Sequence, residues 1–183
     1  MPMKNTLDRY GSLSIAMHWL MLALLVAVYS TILLREVYPK GSDPRDALKM
    51  WHFMLGLSVF ALVFVRIGLR FFGTTPRIVP PPPKWQHLLS IGMNLALYVF
   101  LIAMPLLGWL TLSAAGKPIP FFGLELPALL PQDKEFSHTL EDVHTTIGEI
   151  GYYLIGAHAL AGLFHHYIVH DNALLRMLPD RSV

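Results

Sequence analysis

Apolar positions along the chain fall into four long, nearly unbroken stretches, at about residues 13–34, 50–72, 88–113 and 143–169. Each meets the requirement of roughly 20 consecutive apolar residues for an α-helix that crosses the hydrocarbon core of a membrane. The pattern predicts an all-α membrane protein, a four-transmembrane-helix bundle forming one integral domain over residues 1–183. Pro80, Pro81, Pro82 and Pro83 cannot continue a helix and mark a stiff linker between the second and third spans. Pro105 lies inside the third span and predicts a kink. Residues 116–141 mix prolines and acids with the apolar pairs Phe121-Phe122 and Leu129-Leu130, and read as an extramembrane cap against the membrane surface.

Composition sharpens this reading. The chain is 54% hydrophobic and 14% charged, against about 25% charged in soluble globular proteins. Its mean hydropathy is +0.50. Cys is absent, which excludes disulfides, thiolate metal sites, cysteine-ligated clusters and covalent haem attachment. A net charge of +2, spread over several loops, gives no support for nucleic-acid binding. Lys4 ahead of the first apolar run imitates a signal peptide, but the run continues to Leu34 without a small-residue cleavage site and is read as a retained helix.

Four spans put both termini on one side. With the N-terminus in the cytoplasm, Lys4, Arg9, Arg66, Arg70, Arg77, Lys84, Arg176 and Arg181 fall on or near the inner side, eight basic residues against six outside (Arg35, Lys40, Arg45, Lys49, Lys117, Lys134). Basic residues favour the cytoplasm, so both termini are placed there. The acids Glu36, Asp43, Asp46, Glu125, Asp133, Glu135, Glu141 and Asp142 then all lie outside.

An ionisable group within a span is costly and marks function by default. Four histidines qualify: His18, His52, His144 and His158. His144 and His158 are fourteen residues apart, which at about 100° and 1.5 Å per residue puts them on nearly one face, about 21 Å apart along the helix. Because consecutive spans run in opposite directions, depth pairs His52 with His144 toward the outside and His18 with His158 toward the inside. Each pair can hold one haem iron from two sides through neutral imidazoles. Glycines one helical turn from three of these residues leave flat clearance: Gly56, Gly148, followed a turn later by Gly151, and Gly162. Arg66, fourteen residues after His52, falls on the same face at the depth of the inner pair, where it, with Arg70, offers a partner for haem propionates.

Other readings compete. A single intramembrane histidine often serves only in interhelical hydrogen bonding, but four paired by depth and face do not fit that account. A metal transporter would bring acids into its spans, and Glu149 is the single acid there. His165 shares the face of His158 and is its main rival as ligand, although interfacial hydrogen bonding or a quinone contact suits it and His166 better. His87, His138 and His170 fall in loops or at helix ends. Trp19, Trp51, Trp85 and Trp109 sit where interfacial anchors are common.

Several stretches taken together resemble the bacterial four-helix di-haem cytochrome b family. They are Arg9-Tyr10 with Ala16-Met17-His18-Trp19, Trp51-His52, Tyr98 with Met104-Pro105-Leu106-Leu107-Gly108, and Gly156-Ala157-His158, His165-His166-Tyr167 and Asp171 through Pro179. The resemblance covers nearly the whole chain. It implies His18, His52, His144 and His158 as ligands of two non-covalent b haems. It also implies the activity of the family's superoxide oxidases, which oxidise superoxide to oxygen and pass the electron to ubiquinone. Some members carry a histidine where this chain has Asn94, which bears on a quinone or proton role and not on the four ligands. Arg35, Lys40, Arg45 and Lys49 offer a cationic surface to attract superoxide, diluted by the interleaved acids. Two alternatives share the same haem arrangement: an electron-relay anchor for a partner dehydrogenase or hydrogenase, and a quinol-oxidising cytochrome. Co-purification of a partner subunit separates the first from an enzyme in its own right.

Overall fold

A computed structural model describes residues 3–179; Arg181, counted above among the inner-side cations, lies outside them. Among the described residues, four helices are long and apolar enough to cross a membrane, as the hydrophobic pattern predicts. They are α1 (Ser12–Leu34), α2 (Asp43–Phe72), α3 (Lys84–Ala114) and α4 (Lys134–Phe164), the last continued by a π-helical turn over His165–Val169. Large apolar side chains stand exposed along them, among them Val26, Phe64, Leu95, Tyr153 and Leu160. That is the surface expected of helices solvated by lipid, whose backbone polar groups are satisfied internally.

Three helices begin before the apolar stretch that announces them, because capping and charge, not hydropathy, set a helix start. The first turn of α2 holds Asp43 and Asp46, favourable at the positive end of the helix dipole. Ahead of α4, the Asp133 carboxylate accepts the Phe136 N–H at 3.0 Å, an N-cap bond. The helix therefore reaches back into the segment read as a cap. α3 runs through Pro105 and stops in a Schellman turn at Gly116 (φ 66°), with Lys117 N–H on Leu112 O and Gly116 N–H on Ser113 O, each 3.0 Å.

The chain divides into two compact units. One comprises residues 1–20, 64–99 and 151–183, the other residues 21–63 and 100–150.

In the second unit, the rest of the presumed cap is a β-hairpin. β1 (Ile119–Phe121) pairs antiparallel with β2 (Leu124–Leu126), Ile119 facing Leu126. Its two-residue turn, Phe122 (φ 48°) and Gly123 (φ 86°), is left-handed at both positions, the arrangement that matches strand twist. Buried Ile119 packs with Leu57 and Leu112, flanked by Phe53, Trp109, Phe121 and Leu126. Two bonds pin the following segment to the end of α3: Leu129 N–H to the buried Ser113 hydroxyl at 3.1 Å, and Trp109 Nε1–H to Pro127 O at 3.0 Å.

In the first unit, the N-terminal segment, the linker between α2 and α3, and the C-terminal tail are knitted by polar contacts. Arg9 donates to Leu178 O at 3.0 Å, Arg77 N–H to Leu7 O at 2.8 Å and Val79 N–H to the Asn172 side chain at 2.9 Å. Arg176 donates to Pro76 O. Trp19 anchors through its Nε1–H to Met177 O at 2.8 Å.

Candidate functional site

Each unit contains one pair of opposed histidines. In the second unit, His52 on α2 and His144 on α4 have ring centroids 6.2 Å apart and planes at 82°. His52 Nδ1 lies 3.0 Å from Val28 O on α1. A carbonyl only accepts, so Nδ1 carries the proton and the Nε2 lone pair is left for a metal. A carbonyl in this position also fixes the ring orientation and raises ligand basicity, as partners behind metal-bound histidines do. Gly108 on α3 faces His144 so closely that a Cβ there would stand 3.4 Å from Cε1. Beside His144, Gly148 leaves room for Met104, whose methyl would be 3.4 Å from an added Cβ, and its carbonyl accepts the Tyr29 hydroxyl at 2.7 Å.

In the first unit, His18 on α1 and His158 on α4 have centroids 6.3 Å apart and planes at 68°. Arg66 on α2 donates from Nη2 to His18 Nδ1 at 3.0 Å, so this cation sits directly at the pair. Arg66 and Arg70 also line a small cavity of about 40 Å³ with Tyr98 and Met177. Side chains added at Gly56 or Gly162 would meet no neighbour within 4 Å, so the helix surface one turn from His52 and from His158 is flat.

The remaining candidates are placed elsewhere. It is His158 that faces His18, whereas His165 Nδ1 holds the buried Asp171 carboxylate at 2.5 Å; the same carboxylate accepts Ala173 N–H at 2.8 Å. Asn94 turns back to Ser90 O at 2.8 Å along its own helix. Three of the four cations offered for attracting an anion are occupied. Arg45 is buried and donates to Glu36 at 3.0 Å, Arg35 donates to the same carboxylate at 2.8 Å, and Lys49 approaches Asp46 at 4.0 Å.

Among the described residues no point gathers three or more His, Cys, Asp or Glu side chains, and a protein-built zinc centre needs three or four. Two opposed imidazoles suit a metal that brings its remaining ligands in its own macrocycle. Fold and site thus define a membrane protein whose spans carry histidines in two facing pairs.

The chain belongs to the prokaryotic cytochrome b561 family, whose model matches residues 9–180. These are membrane b-type cytochromes that transfer electrons. Cytochrome b561 homolog 1 of Escherichia coli is 37% identical over 96% of this chain and 100% of its own length. A Yersinia pestis protein named "Probable superoxide oxidase CybB" is 36% identical over 94% of this chain and 97% of its own. Cytochrome b561 homolog 2 of E. coli is 27% identical over the whole chain and 97% of its own length.

The histidine pairs fit b-type haem. With metal–nitrogen bonds of about 2.0 Å, two imidazoles that share one metal from opposite sides would have ring centres about 6 Å apart. The observed separations are 6.2 and 6.3 Å. Sequence reasoning missed Gly108 and the Val28 carbonyl. It looked for clearance only along each histidine's own helix, and a backbone acceptor has no signature in side-chain identity.

Proposed function

We propose that this chain is a di-haem cytochrome of the bacterial inner membrane that takes single electrons from superoxide and delivers them to ubiquinone, with both termini in the cytoplasm. The observation that carries it is the pair of opposed histidines in each unit, at a ring separation that would admit one haem iron between them. His18 and His158 hold one haem and His52 and His144 the other. Held by these histidines, haem would supply one-electron redox chemistry.

The protein's own groups set the conditions for that chemistry. The Val28 carbonyl keeps the proton on His52 Nδ1, so the ring is neutral and correctly turned. Arg66 now donates to His18 Nδ1. Were His18 to hold a haem through Nε2, its Nδ1 would carry the proton and Arg66 would be left for an anion, for which a propionate would suit the guanidinium. In the overall reaction two superoxide anions each lose one electron and become oxygen. Ubiquinone gains two electrons and two protons to form ubiquinol.

Similarity to the relative named as a superoxide oxidase supports superoxide as donor. Attraction by the cations around residues 35–49 adds little, since Glu36 and Asp46 offset them. The excess of basic residues near the termini supports the orientation.

The test is a pyridine-haemochrome assay with reduced-minus-oxidised spectra on the purified protein and on His52→Ala and His158→Ala. Two haems per chain, one lost in each variant, together with superoxide-dependent ubiquinol formation, is the expected result. Full haem content in either variant would sink the ligand assignment. Two intact haems without ubiquinol formation would sink the reaction.

A further inference from the structure

The β-hairpin of the second unit extends its apolar face past the core that it covers. Antiparallel pairing sets Ile119 opposite Leu126 and Phe121 opposite Leu124 on one face, and Pro120 opposite Glu125 on the other. Ile119 packs with Leu57 and Leu112, and Phe121 and Leu126 pack against this cluster. Leu124, on the same face, is nevertheless 66% exposed, and Phe122 in the turn is 55% exposed. Residues 118–124 hold no charged side chain. Phe122 also keeps a backbone, φ 48°, that bulky residues rarely adopt and that asparagine or glycine adopts readily. An exposed aromatic ring thus occupies a position where the turn by itself favours another residue, and burial in the core does not account for it.

Neighbours on α2 give the depth of this tip. The Trp51 ring stands edge-on to Phe122 with centroids 6.3 Å apart, and Phe122 N–H donates to Met54 Sδ at 3.4 Å. Before Trp51, α2 carries Asp43, Arg45, Asp46 and Lys49; after it, no acid, lysine or arginine follows until Arg66. Trp51 therefore stands where the helix passes from headgroups to hydrocarbon, the usual place of tryptophan in a span. Met50 and Trp51 are themselves exposed, so the tip is continuous with the lipid-facing surface of α2. We propose that the hairpin tip is a membrane-interface anchor: Phe122 and Leu124 enter the boundary between phospholipid headgroups and acyl chains beside Trp51, while Glu125 stays in water. Burial of a Phe or Leu side chain favours the apolar phase on the order of 10- to 100-fold, which offsets an aromatic residue at an unfavourable φ. Seated this way, the lipid holds the hairpin down over Phe53 and Trp109, the chain neighbours of His52 and Gly108.

The experiment uses the absence of cysteine from the chain. Phe122→Cys, Leu124→Cys and Glu125→Cys each give a single site for a nitroxide label in the intact chain, reconstituted in phosphatidylcholine bilayers. Relaxation of the label by oxygen, which concentrates in lipid, is compared with relaxation by a water-soluble nickel chelate. Oxygen is expected to dominate at positions 122 and 124, and nickel at position 125. Dominance of nickel at position 122 or 124 puts the tip in water and overturns the proposal. Protection of either label from both agents overturns it in favour of a protein partner or a second copy of this chain, and dominance of oxygen at position 125 overturns the assignment to one face. Labelled Leu124→Cys combined with Phe122→Asn tests the ring itself, because asparagine suits the turn and removes the aromatic group. The oxygen-to-nickel ratio at position 124 is expected to fall in this double variant, and an unchanged ratio overturns the role of Phe122.

Discussion

Replacing Gly108 tests the histidine site from a helix that contributes no ligand. A Cβ at this position would stand 3.4 Å from His144 Cε1 and 3.7 Å from Nδ1, so Gly108→Ala fits, and removal of a mid-helix glycine adds about 0.5–1 kcal/mol of stability. Valine is different. Its γ carbons reach about 1.5 Å beyond the Cβ, and its χ1 is nearly fixed in a helix, so the imidazole has to give way by on the order of 1 Å. Overpacking of this kind costs about 1–3 kcal/mol. Because His144 is the group displaced, the cost falls on ligand geometry and weakens haem binding at the His52–His144 pair by about 5- to 150-fold. The assay is haem per chain with reduced-minus-oxidised spectra, alongside circular dichroism to establish folding. Gly108→Ala is expected to keep both haems and Gly108→Val to lose one. Two haems with unaltered spectra in Gly108→Val would refute the reasoning. Equal loss in both variants would show that glycine's backbone freedom matters here, not its lack of a side chain.

Three further predictions follow from single contacts. Arg66→Gln is expected to weaken haem retention at the His18–His158 pair by about tenfold, with partial rescue by Arg66→Lys, which keeps the charge but not the fork; haem titration of the apoprotein reads both. Ser113→Ala removes the acceptor of the Leu129 N–H and is expected to cost about 1–3 kcal/mol, measured as an earlier unfolding midpoint in denaturing detergent with haem content at the folded baseline unchanged. Asp171→Asn takes the charge from the bond to His165 at a buried carboxylate, a loss of about 1.5–3 kcal/mol. Faster proteolysis after α4 at constant haem content is the expected sign, and an unchanged cleavage rate would remove this pair from the tail's anchorage.

Much of the architecture is written in the one-dimensional pattern because the bilayer imposes it. A span must be apolar over its whole length, so four apolar stretches announce four helices. Opposite running directions give each histidine a depth, and depth alone selects His52 with His144 and His18 with His158, the partners brought within 6.2 and 6.3 Å. Features set outside the apolar stretches were harder to read. The N-cap at Asp133 carries α4 nine residues back from the start of the apolar stretch at Val143. The segment read as an extramembrane cap gives no hairpin signal at Ile119–Leu126, since its turn places a phenylalanine, Phe122, at positive φ where turn chemistry favours asparagine or glycine.

By itself, then, the sequence determined the number of membrane helices and which histidines face each other, because both follow from helix length and running direction. Only the tertiary structure decided which backbone lies behind each ring. That Val28 O fixes the proton of His52, that Gly108 bounds the space of His144, that Arg66 reaches His18 and that Asp171 takes His165 all depend on how helices are rotated about their axes. Hydropathy is nearly blind to that rotation when lipid makes every face apolar, and packing together with a few polar bonds sets it instead.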